Sequence, residues 1–378
     1  MLFKPRSQEE LAGLVATATE PFEIIGAGTK RALGRPAQTP HVLDLSKFSA
    51  VKAYEADELI LDVGAGAKLS DIEKLIAAKQ QYLAFDPPNY SKLLGSKHSG
   101  TMGGLLACNL SGPRRIKAGA TRDHVLGFTA VSGRGEIFKA GARVVKNVTG
   151  YDMPKLMAGS YGTLAAITSV IFKVLPKPES EETLWISGLD DEAAVQTMSI
   201  AMQSSGEVSG AAHIPKHGTM LRLEGIAPSI AYRRDKLLKL FGGKIEVLTE
   251  KDSAEQWRGV RDVLPLADNL SRSVWKISVT PSLAPAVVAK LKSQFELRYF
   301  FDWAGGLIWL DCEGENSTAI RAAIFDGHAT LMRATEFIRI QTTIFQPQAK
   351  ALAALSARVK NSFDPQSLFN PGRMYEGV

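Results

Sequence analysis

The sequence is poor in cysteine and histidine, which limits the metal and redox chemistry that the chain itself can carry. Only two of its 378 residues are cysteines, Cys108 and Cys312, and neither has a partner at the spacing of zinc or iron–sulfur ligands. The six histidines, at positions 41, 98, 124, 213, 217 and 328, include no H-x-H pair. We therefore expect no disulfide framework, no metal site and no iron–sulfur cluster on this chain.

Long apolar runs and a strong net charge are also missing. No stretch of 18 apolar residues occurs, and the N-terminal sequence MLFKPRSQEE is too polar for a signal peptide, so we expect a cytoplasmic protein. The net charge is only +6, and no aromatic-interleaved basic stretch accompanies it, so we expect no nucleic-acid partner. With 45% hydrophobic and 22% charged residues, the composition is typical of a globular protein with two or three domains.

Basic residues are concentrated at one place, where Arg114, Arg115, Lys117 and Arg122 follow each other closely. Three interpretations fit this cluster: it assists a phosphate-bearing ligand, it faces an acidic partner or a membrane surface, or it is solvated surface charge. At the level of sequence all three stay open.

Glycines and small polar residues dominate the stretch from Gly95 to Pro113, GSKHSGTMGGLLACNLSGP. Glycine lacks a Cβ and tolerates positive φ, so such a stretch lets backbone N–H groups approach a ligand closely. Successive N–H groups in a turn form a concave, positively polarised site for an anion. We therefore predict an anion cradle anchored by the run Leu105 to Leu110, with an ordinary glycine-rich surface loop as the alternative.

Two further G-x-G turns precede this stretch. The predicted strand Phe22 to Ile25 leads into GAGTK at positions 26–30, where no third glycine follows at the spacing of a Rossmann fingerprint. The other turn, at Gly64 and Gly66, is predicted to connect a strand to a helix.

Two capping boxes, Ser7 with Glu10 and Ser70 with Glu73, predict the beginnings of two helices. The later elements predicted for this half are a hairpin of Val125 to Val131 with Glu136 to Lys139, a helix near Met153 to Met157, and a strand from Leu164 to Val174.

The order of these pieces resembles the FAD-binding domain of the vanillyl-alcohol oxidase and p-cresol methylhydroxylase (PCMH-type) superfamily. The likeness rests on GAGTK at 26–30, SGTMGGLLACNLSGPRR at 99–115, TRDHVLG at 121–127 and VKNVTGYDMPKLMAGSYGTLAAIT at 145–168. Within that superfamily the chain is most similar to the FAD-binding (E) subunits of glycolate oxidase, through KNVTGYD at 146–152, VWKISVTP at 274–281, DWAGGLIWL at 302–310 and FDPQSLFNPGRM at 363–374. Each motif is weak alone, whereas this order and spacing are specific.

The resemblance implies non-covalently bound FAD, with the pyrophosphate held by backbone N–H groups of two loops, positions 26–30 and 101–104. It places Gly112 beneath the ring system, Thr121 and Asp123 along the ribityl chain and pyrophosphate, and Asn370 at the flavin edge. Positions 162, 163 and 167 match the adenosine end; a turn glycine and a core strand residue are the alternatives for Gly162 and Ile167, and a chain-ending turn for Asn370. The full set implied for FAD is Gly26, Ala27, Gly28, Thr29, Lys30, Pro87, Thr101, Met102, Gly103, Gly104, Asn109, Gly112, Thr121, Asp123, Gly162, Thr163, Ile167 and Asn370.

The fold class implied is α+β, with a two-lobed PCMH-type FAD-binding domain and a smaller α+β cap domain containing an antiparallel sheet. We predict the FAD-binding domain at residues 1–178, the cap at 179–347, and at 348–378 a C-terminal tail that returns to the FAD-binding domain. The strands predicted for the cap are Thr183 to Ser187, Met220 to Glu224, Trp275 to Thr280 and Leu307 to Asp311, and its helices are Glu192 to Gln203 and Ala284 to Phe295.

The function implied is that of the FAD-binding subunit of a glycolate oxidase complex, which oxidises the 2-hydroxy acid glycolate to glyoxylate. The implied partners are an FAD-containing D subunit and an iron–sulfur F subunit that takes the electrons, with peripheral association at the inner face of the membrane through the complex.

Catalytic relatives bind a divalent metal in the cap through a histidine pair and an acidic residue. This sequence shows no such cluster, because Pro215 argues against a helix that would align His213 with His217, so no catalytic residue is assigned. The alternative is a free-standing FAD-dependent 2-hydroxy-acid (D-lactate-type) dehydrogenase, with Arg222 or Arg339 on the substrate carboxylate.

Overall fold

The structure is a computed structural model that describes residues 1–143 and 151–378. These residues form two compact units. The first unit comprises Met1–Leu110, Ala120–Pro176 and Pro347–Val378, and the second comprises Ser111–Gly119 and Lys177–Gln346. Most of the KNVTGYD motif, at 146–152, lies outside the described residues.

Both units contain strands and helices. The strands are β1 (Leu2–Phe3), β2 (Phe22–Ile25), β3 (His41–Asp44), β4 (Val51–Glu55), β5 (Ile60–Gly64), β6 (Gln81–Tyr82), β7 (Val125–Ser132), β8 (Ile137–Gly141), β9 (Ala165–Lys173), β10 (Leu175–Pro176), β11 (Ser180–Ile186), β12 (Gly210–Ile214), β13 (Gly218–Gly225), β14 (Ile245–Thr249), β15 (Ser273–Val279), β16 (Leu297–Asp302), β17 (Leu307–Cys312) and β18 (Gly327–Arg333). The α-helices are α1 (Gln8–Ala16), α2 (Leu69–Ala77), α3 (Met102–Ala107), α4 (Arg115–Ala118), α5 (Thr121–His124), α6 (Met153–Met157), α7 (Asp191–Gln203), α8 (Ala227–Phe241), α9 (Glu250–Arg261), α10 (Ala284–Lys292), α11 (Ser317–Ala323), α12 (Glu336–Gln341) and α13 (Lys350–Phe363). In the described ranges no helix is long and apolar enough to cross a membrane.

The first unit is built on two main sheets. One is parallel, in the order β1-β3-β2, and the other is antiparallel, in the order β4-β5-β9-β7-β8. All of β5 and most of β9 are buried. This agrees with their nearly continuous apolar sequences, which are typical of strands that are covered on both faces. The predicted strand Phe22 to Ile25 and the predicted helix Met153 to Met157 are both confirmed with those bounds.

Only one of the two predicted capping boxes begins a helix. The Ser7 hydroxyl accepts a hydrogen bond from the Glu10 amide at 3.1 Å, which confirms the N-cap of α1. The prediction for Ser70 is wrong, since α2 begins at Leu69 without a side-chain cap. The Leu69 amide donates to the Gly100 carbonyl at 2.9 Å, and this pairing with the glycine-rich stretch places the N-cap at Lys68, two residues earlier than the sequence signal indicates.

The C-terminal segment joins the core of the first unit beside β2. The Phe22 amide donates to the Leu368 carbonyl at 2.7 Å and the Asn370 amide to the Phe22 carbonyl at 2.9 Å. The buried cluster around this contact contains Leu11, Val15, Phe22, Leu43, Leu45, Val131, Ala166, Leu368 and Phe369. Burial of these side chains contributes about 25 cal/mol of stabilising free energy per Å² of apolar area. It therefore holds the C-terminal segment against the first unit.

The second unit is organised around one antiparallel sheet, in the order β14-β11-β13-β12-β16-β17-β15-β18. Helices α7, α8, α9 and α10 contact β12, β13, β11 and β16, respectively. The four strands and two helices predicted for this region are confirmed, with ends shifted by up to three residues. The predicted α+β class, with an antiparallel sheet in the region predicted as the cap, is therefore confirmed.

Candidate functional site

A cleft opens in the first unit, between segments that are distant in the sequence. Its walls are the end of β2 and the loop that follows, the beginning of α3, the turn at 161–162, the start of β9 and the C-terminal segment. The predicted FAD residues that line it are Gly26, Ala27, Gly28, Thr29, Lys30, Thr101, Gly103, Gly104, Gly162, Ile167 and Asn370.

The loop after β2 offers backbone donors to this cleft. In the described part of the chain, the consecutive amides of Ala27, Gly28, Thr29 and Lys30 donate to no protein acceptor. Gly28 has φ of 68°, in the left-handed region that glycine adopts without strain. Because backbone N–H groups require acceptors, four successive free amides form a site for an anionic ligand.

The side chain of Lys30 adds a positive charge to the same loop. Its ammonium makes no hydrogen bond and no ion pair with any described residue, and burial lowers its pKa. A Cβ added at Gly100 would lie 2.0 Å from Lys30 Nζ, and one added at Gly26 would lie 2.5 Å from Thr101 Oγ1. The two glycines therefore leave the space in which the lysine side chain and the loop approach each other.

The second predicted loop, residues 101–104, differs from the expectation. It is the N-terminus of the short helix α3, with the Thr101 hydroxyl as its N-cap, and its amides already have partners. The Met102 amide donates to Ala67 O at 3.0 Å, the Gly103 amide to Ala65 O at 2.8 Å, and the Gly104 amide to Thr101 Oγ1 at 3.3 Å. The predicted role of these three residues as N–H donors is therefore corrected: they hold α3 against the residues that follow β5.

Gly103 shows why this approach needs glycine. A Cβ at that position would lie 2.7 Å from the Ala65 Cβ and 3.0 Å from the Ala65 carbonyl oxygen, and both Gly103 and Ala65 line the cleft. The absence of a side chain at Gly103 thus lets α3 approach Ala65 closely at this wall of the cleft.

Asn370 lines the cleft, but its amide group is engaged in holding two walls together. Its Oδ1 accepts from the Ile24 amide and its Nδ2 donates to the Tyr161 carbonyl, each at 2.8 Å. A Cβ at Gly162 would meet Asn370 Nδ2 at 2.8 Å. Asn370 therefore fixes the turn at 161–162 beside β2, and the predicted flavin-edge contact stays a prediction.

Several predicted FAD residues do not line this cleft: Pro87, Met102, Asn109, Gly112, Thr121, Asp123 and Thr163. Gly112 belongs to the second unit, whereas the others are in the first.

Their polar groups serve the local structure. The Thr121 hydroxyl donates to the Leu110 carbonyl, the Asp123 carboxylate accepts from the Ala120 amide at 2.8 Å, Asn109 Oδ1 accepts from the Arg122 amide at 3.1 Å, and the Thr163 hydroxyl donates to the Ser160 carbonyl at 2.8 Å. Pro87 and Met102 are buried.

Arg373, for which no role was predicted, also lines the cleft. Its guanidinium donates to the carbonyls of Lys30 and Arg31 at 3.0 and 3.1 Å and lies 3.6 Å from the Glu23 carboxylate. Burial lowers its pKa. Arg373 thereby holds the loop that carries the free amides. Its place three residues after Asn370 in FNPGRM is a signal that sequence reasoning could have used.

Tyr161 and Cys108 also line the cleft, and neither was predicted to do so. Burial raises the pKa of both the Tyr161 phenol and the Cys108 thiol, so both groups are neutral near pH 7. Tyr161 has φ of 53°, an uncommon left-handed conformation for a bulky residue, which the bond from Asn370 to its carbonyl helps to hold.

In the second unit, Arg114 of the basic cluster forms a largely buried ion pair, so this residue is not solvated surface charge. The Arg114 guanidinium donates from Nε to both Glu224 oxygens at 3.0 and 2.9 Å and lies 3.5 Å from Glu181. Arg222, a candidate for binding a substrate carboxylate, lies 3.6 Å from Glu224 and 4.5 Å from the Trp257 ring, and is 1% exposed. Both arginines therefore neutralise carboxylates of the chain itself.

Residues 1–143 and 151–378 contain no cluster of side chains suited to ligate a metal ion. No group of three or more His, Cys, Asp and Glu side chains is placed there to hold a metal ion. His213 lies on β12, and its Nδ1 is 2.9 Å from the Thr219 hydroxyl.

Part of the cleft, including the loop at 26–30 and the beginning of α3, lies in a region that matches a known family. A family model for an FAD binding domain matches residues 1–141. The glycolate oxidase subunit GlcE of Escherichia coli K12 is 32% identical over 356 residues, which are 94% of this chain and 93% of that protein. The glycolate oxidase subunit GlcD of Bacillus subtilis 168 is 32% identical over 52% of this chain and 41% of its own length.

Two further proteins extend the comparison. A D-lactate dehydrogenase of Anaerostipes hadrus is 33% identical over 52% of this chain and 41% of its own length. Among solved structures, an alkyldihydroxyacetonephosphate synthase superimposes with a TM-score of 0.71 at 17% identity, over 98% of this chain and 76% of that one. At this identity the likeness concerns the fold alone.

Proposed function

This chain belongs to the PCMH-type family of FAD-binding oxidoreductases that includes the glycolate oxidase subunit GlcE, and from this premise we propose that it is the FAD-binding subunit of a multi-subunit 2-hydroxy-acid oxidase. The proposed substrate is glycolate and the product glyoxylate. The observation that carries the proposal is the similarity to GlcE along 94% of this chain, because the similarity extends well beyond the region that the FAD family model matches.

The residues of the cleft fit the cofactor. FAD contains a pyrophosphate, and the loop at 27–30 presents consecutive free amides and one unpaired ammonium among the described residues. A backbone nest with a lysine is suited to a doubly charged pyrophosphate, because each N–H donates without the desolvation of an additional charged side chain. Arg373, bonded to the carbonyls on the far side of this loop, holds it in place for binding.

When bound, FAD supplies the two-electron acceptor for the oxidation of the carbinol carbon. Conversion of glycolate to glyoxylate releases two electrons and two protons. In the proposed complex the electrons pass on to an iron–sulfur partner, because the two cysteines of this chain, Cys108 and Cys312, are too few to ligate such a cluster. An FAD-containing second subunit is the other proposed partner, and the proposed location is the cytoplasm, peripherally at the membrane through the complex.

The first experiment is an absorbance spectrum of the chain purified alone, followed by anaerobic mixing with glycolate and with D-lactate. We expect flavin bands that neither acid bleaches until the two partner subunits are added, and bleaching by glycolate after that addition. Bands that stay unchanged in the complete complex with both acids would refute the 2-hydroxy-acid function.

Bleaching by D-lactate with this chain alone would instead favour a free-standing dehydrogenase. One observation keeps this second function in view, namely the similarity to a D-lactate dehydrogenase over 52% of this chain. The same spectra therefore separate a subunit that depends on partners from an independent enzyme.

A further inference from the structure

A second group of cations lies in the second unit, around the indole of Trp303. The Arg115 guanidinium carbon is 4.2 Å and the Lys276 ammonium 4.9 Å from the centre of the Trp303 ring, and the same ammonium is 5.8 Å from the centre of the Trp309 ring. Trp303 is 8% and Trp309 2% exposed. Two positive charges thus share one largely buried aromatic surface.

The sheet places these groups on one face. Lys276 on β15 pairs with Trp309 on β17, and Ser278, two residues along β15, pairs with His328 on β18. Side chains directly opposite each other across antiparallel strands share a face, as do residues two apart along a strand. Lys276, Trp309 and the exposed His328 therefore belong to the same face of the sheet.

The backbone at Trp303 adopts a strained conformation. Trp303 and Ala304 have φ of 51° and 55°, a left-handed conformation that is uncommon for residues other than glycine. The Asp302 carboxylate accepts from the Trp303 amide at 2.7 Å, and Trp303 Nε1 donates to the Gly112 carbonyl at 3.1 Å. Such strain persists where the surroundings over-determine it, and it concentrates at ligand sites.

In the part of the chain that the structure describes, the Lys276 ammonium makes no hydrogen bond and no ion pair. Burial and Arg115 lower the pKa of Lys276 to about 8, although Asp302 opposes the change. Burial, Lys276 and Arg115 likewise lower the pKa of His328. Like charges brought together out of water favour the binding of an anion between them.

We propose that Arg115 and Lys276 form a binding site for the carboxylate of a small organic acid, with Trp303 and Trp309 as its apolar walls. A carboxylate offers two acceptor oxygens, which suits one guanidinium and one ammonium. The identification of this acid as the 2-hydroxy-acid substrate rests on the proposed function, and it gives this chain a substrate-binding site of its own.

The test is calorimetric titration of the full chain, supplied with excess FAD, with oxalate, a small dicarboxylate that has no oxidisable hydroxyl group. Lys276→Met should weaken oxalate binding at least about tenfold, because it removes a charge-assisted hydrogen bond. Lys276→Arg, which keeps the charge, should stay within about threefold of wild type. The matched control is Lys239→Met at an exposed lysine on α8, which should bind oxalate like wild type.

Arg115→Leu provides a second variant outside the sheet, in the short helix α4, in case Lys276→Met alters folding. It should also weaken binding about tenfold, and oxalate should change the tryptophan fluorescence of wild type but not of this variant. The proposal is overturned if both variants bind oxalate as wild type does, or if sulfate binds as tightly as oxalate.

The failure of this proposal differs from the failure of the proposed function. If oxalate binding does not depend on Lys276 while the assembled complex oxidises glycolate, the carboxylate site is wrong and the function stands. If oxalate binding depends on Lys276 while no 2-hydroxy acid bleaches the flavin in the complex, the site stands and its ligand is another carboxylate.

Discussion

Two cationic side chains, one in each compact unit, have opposite surroundings. In the first unit the Lys30 ammonium has no partner among the described residues, and it shares its loop with consecutive free amides. In the second unit Arg114 donates to both oxygens of Glu224 and lies 3.5 Å from Glu181. A buried cation whose counter-charge lies in the same chain stabilises the fold, whereas one without a counter-charge is available to a ligand.

Replacing the paired cation should therefore affect folding. Arg114→Met leaves the buried carboxylates of Glu181 and Glu224 with Arg222 as the nearby cation, and removal of one partner from a buried ion pair costs about 3–5 kcal/mol. All five tryptophans, at positions 185, 257, 275, 303 and 309, lie in the second unit. Urea unfolding followed by tryptophan fluorescence therefore reports on this unit.

The control is Arg258→Met, which removes an exposed arginine from α9 and should leave the urea midpoint unchanged. The wild type should also lose stability in acid: burial raises the pKa of Glu224, but Arg222 and Arg114 outweigh it and lower this pKa from 4.5 to about 2. A lowered carboxylate pKa stabilises the fold above pH 4.5, and this contribution is lost as the pH falls toward 2. Equal midpoints for the two variants would contradict the ion-pair role.

In the first unit the largest effect should come from the backbone and not from a charge. Gly103→Val places a branched side chain where a Cβ alone would lie 2.7 Å from Ala65, and such overpacking costs about 1–3 kcal/mol. We expect FAD to be retained about 100-fold less tightly, measured by flavin absorbance after gel filtration, with the tryptophan unfolding curve unchanged.

Gly13→Val is the matched control, because a Cβ at Gly13 meets nothing within 4 Å. It should keep FAD at the wild-type level. If Gly103→Val also keeps its flavin, the contact between α3 and Ala65 does not shape the cofactor cleft.

The difference between the units also explains how far the sequence could be interpreted. Glycine spacing is specific because it reports where two backbone segments meet, so the cleft loops at 26–30 and 101–104 could be located. What the spacing could not reveal is which amides are already bonded, because the partners of Met102 and Gly103 are carbonyls 35 or more residues earlier in the chain. The Ser70 signal failed for the same reason, since pairing of Leu69 with Gly100 decides where α2 begins.

In the second unit the sequence indicated strands but not the partners of charged side chains. Apolar strands such as β15 and β17 were predicted, whereas β12, β14, β16 and β18 were not. In β14, β16 and β18, exposed or charged residues weaken the alternation. Arg114 and Glu224 are 110 residues apart, and the cluster of Arg115, Lys276 and Trp303 likewise joins distant strands and a loop. Tertiary contacts of this kind leave no local pattern.

Replacing the unpaired cation should affect the ligand and not the fold. Lys30→Met removes one charge-assisted hydrogen bond to the cofactor phosphates, and we expect about tenfold weaker retention of FAD, equivalent to about 1.4 kcal/mol. The thermal midpoint of the FAD-free chain should not fall, because no described partner of the ammonium is lost. Lys79→Met, at an exposed lysine after α2, is the control for the change in net charge, and a lower midpoint for Lys30→Met than for Lys79→Met would show that Lys30 stabilises the fold.

The smallest expected effect is the pH dependence of FAD retention. Burial lowers the pKa of Lys30 below its ordinary value of 10.5, so the ammonium loses its proton at a lower pH than an exposed lysine does. Bound phosphate favours the protonated form, and linkage then requires that FAD affinity fall as the pH rises through this lowered pKa. The decline cannot exceed the loss caused by Lys30→Met, so it should stay within about tenfold. Equilibrium dialysis of FAD between pH 7 and 10 measures this decline in affinity, which should vanish in Lys30→Met. An equal decline in that variant would assign the titration to another group, and it would remove Lys30 from its proposed place at the cofactor.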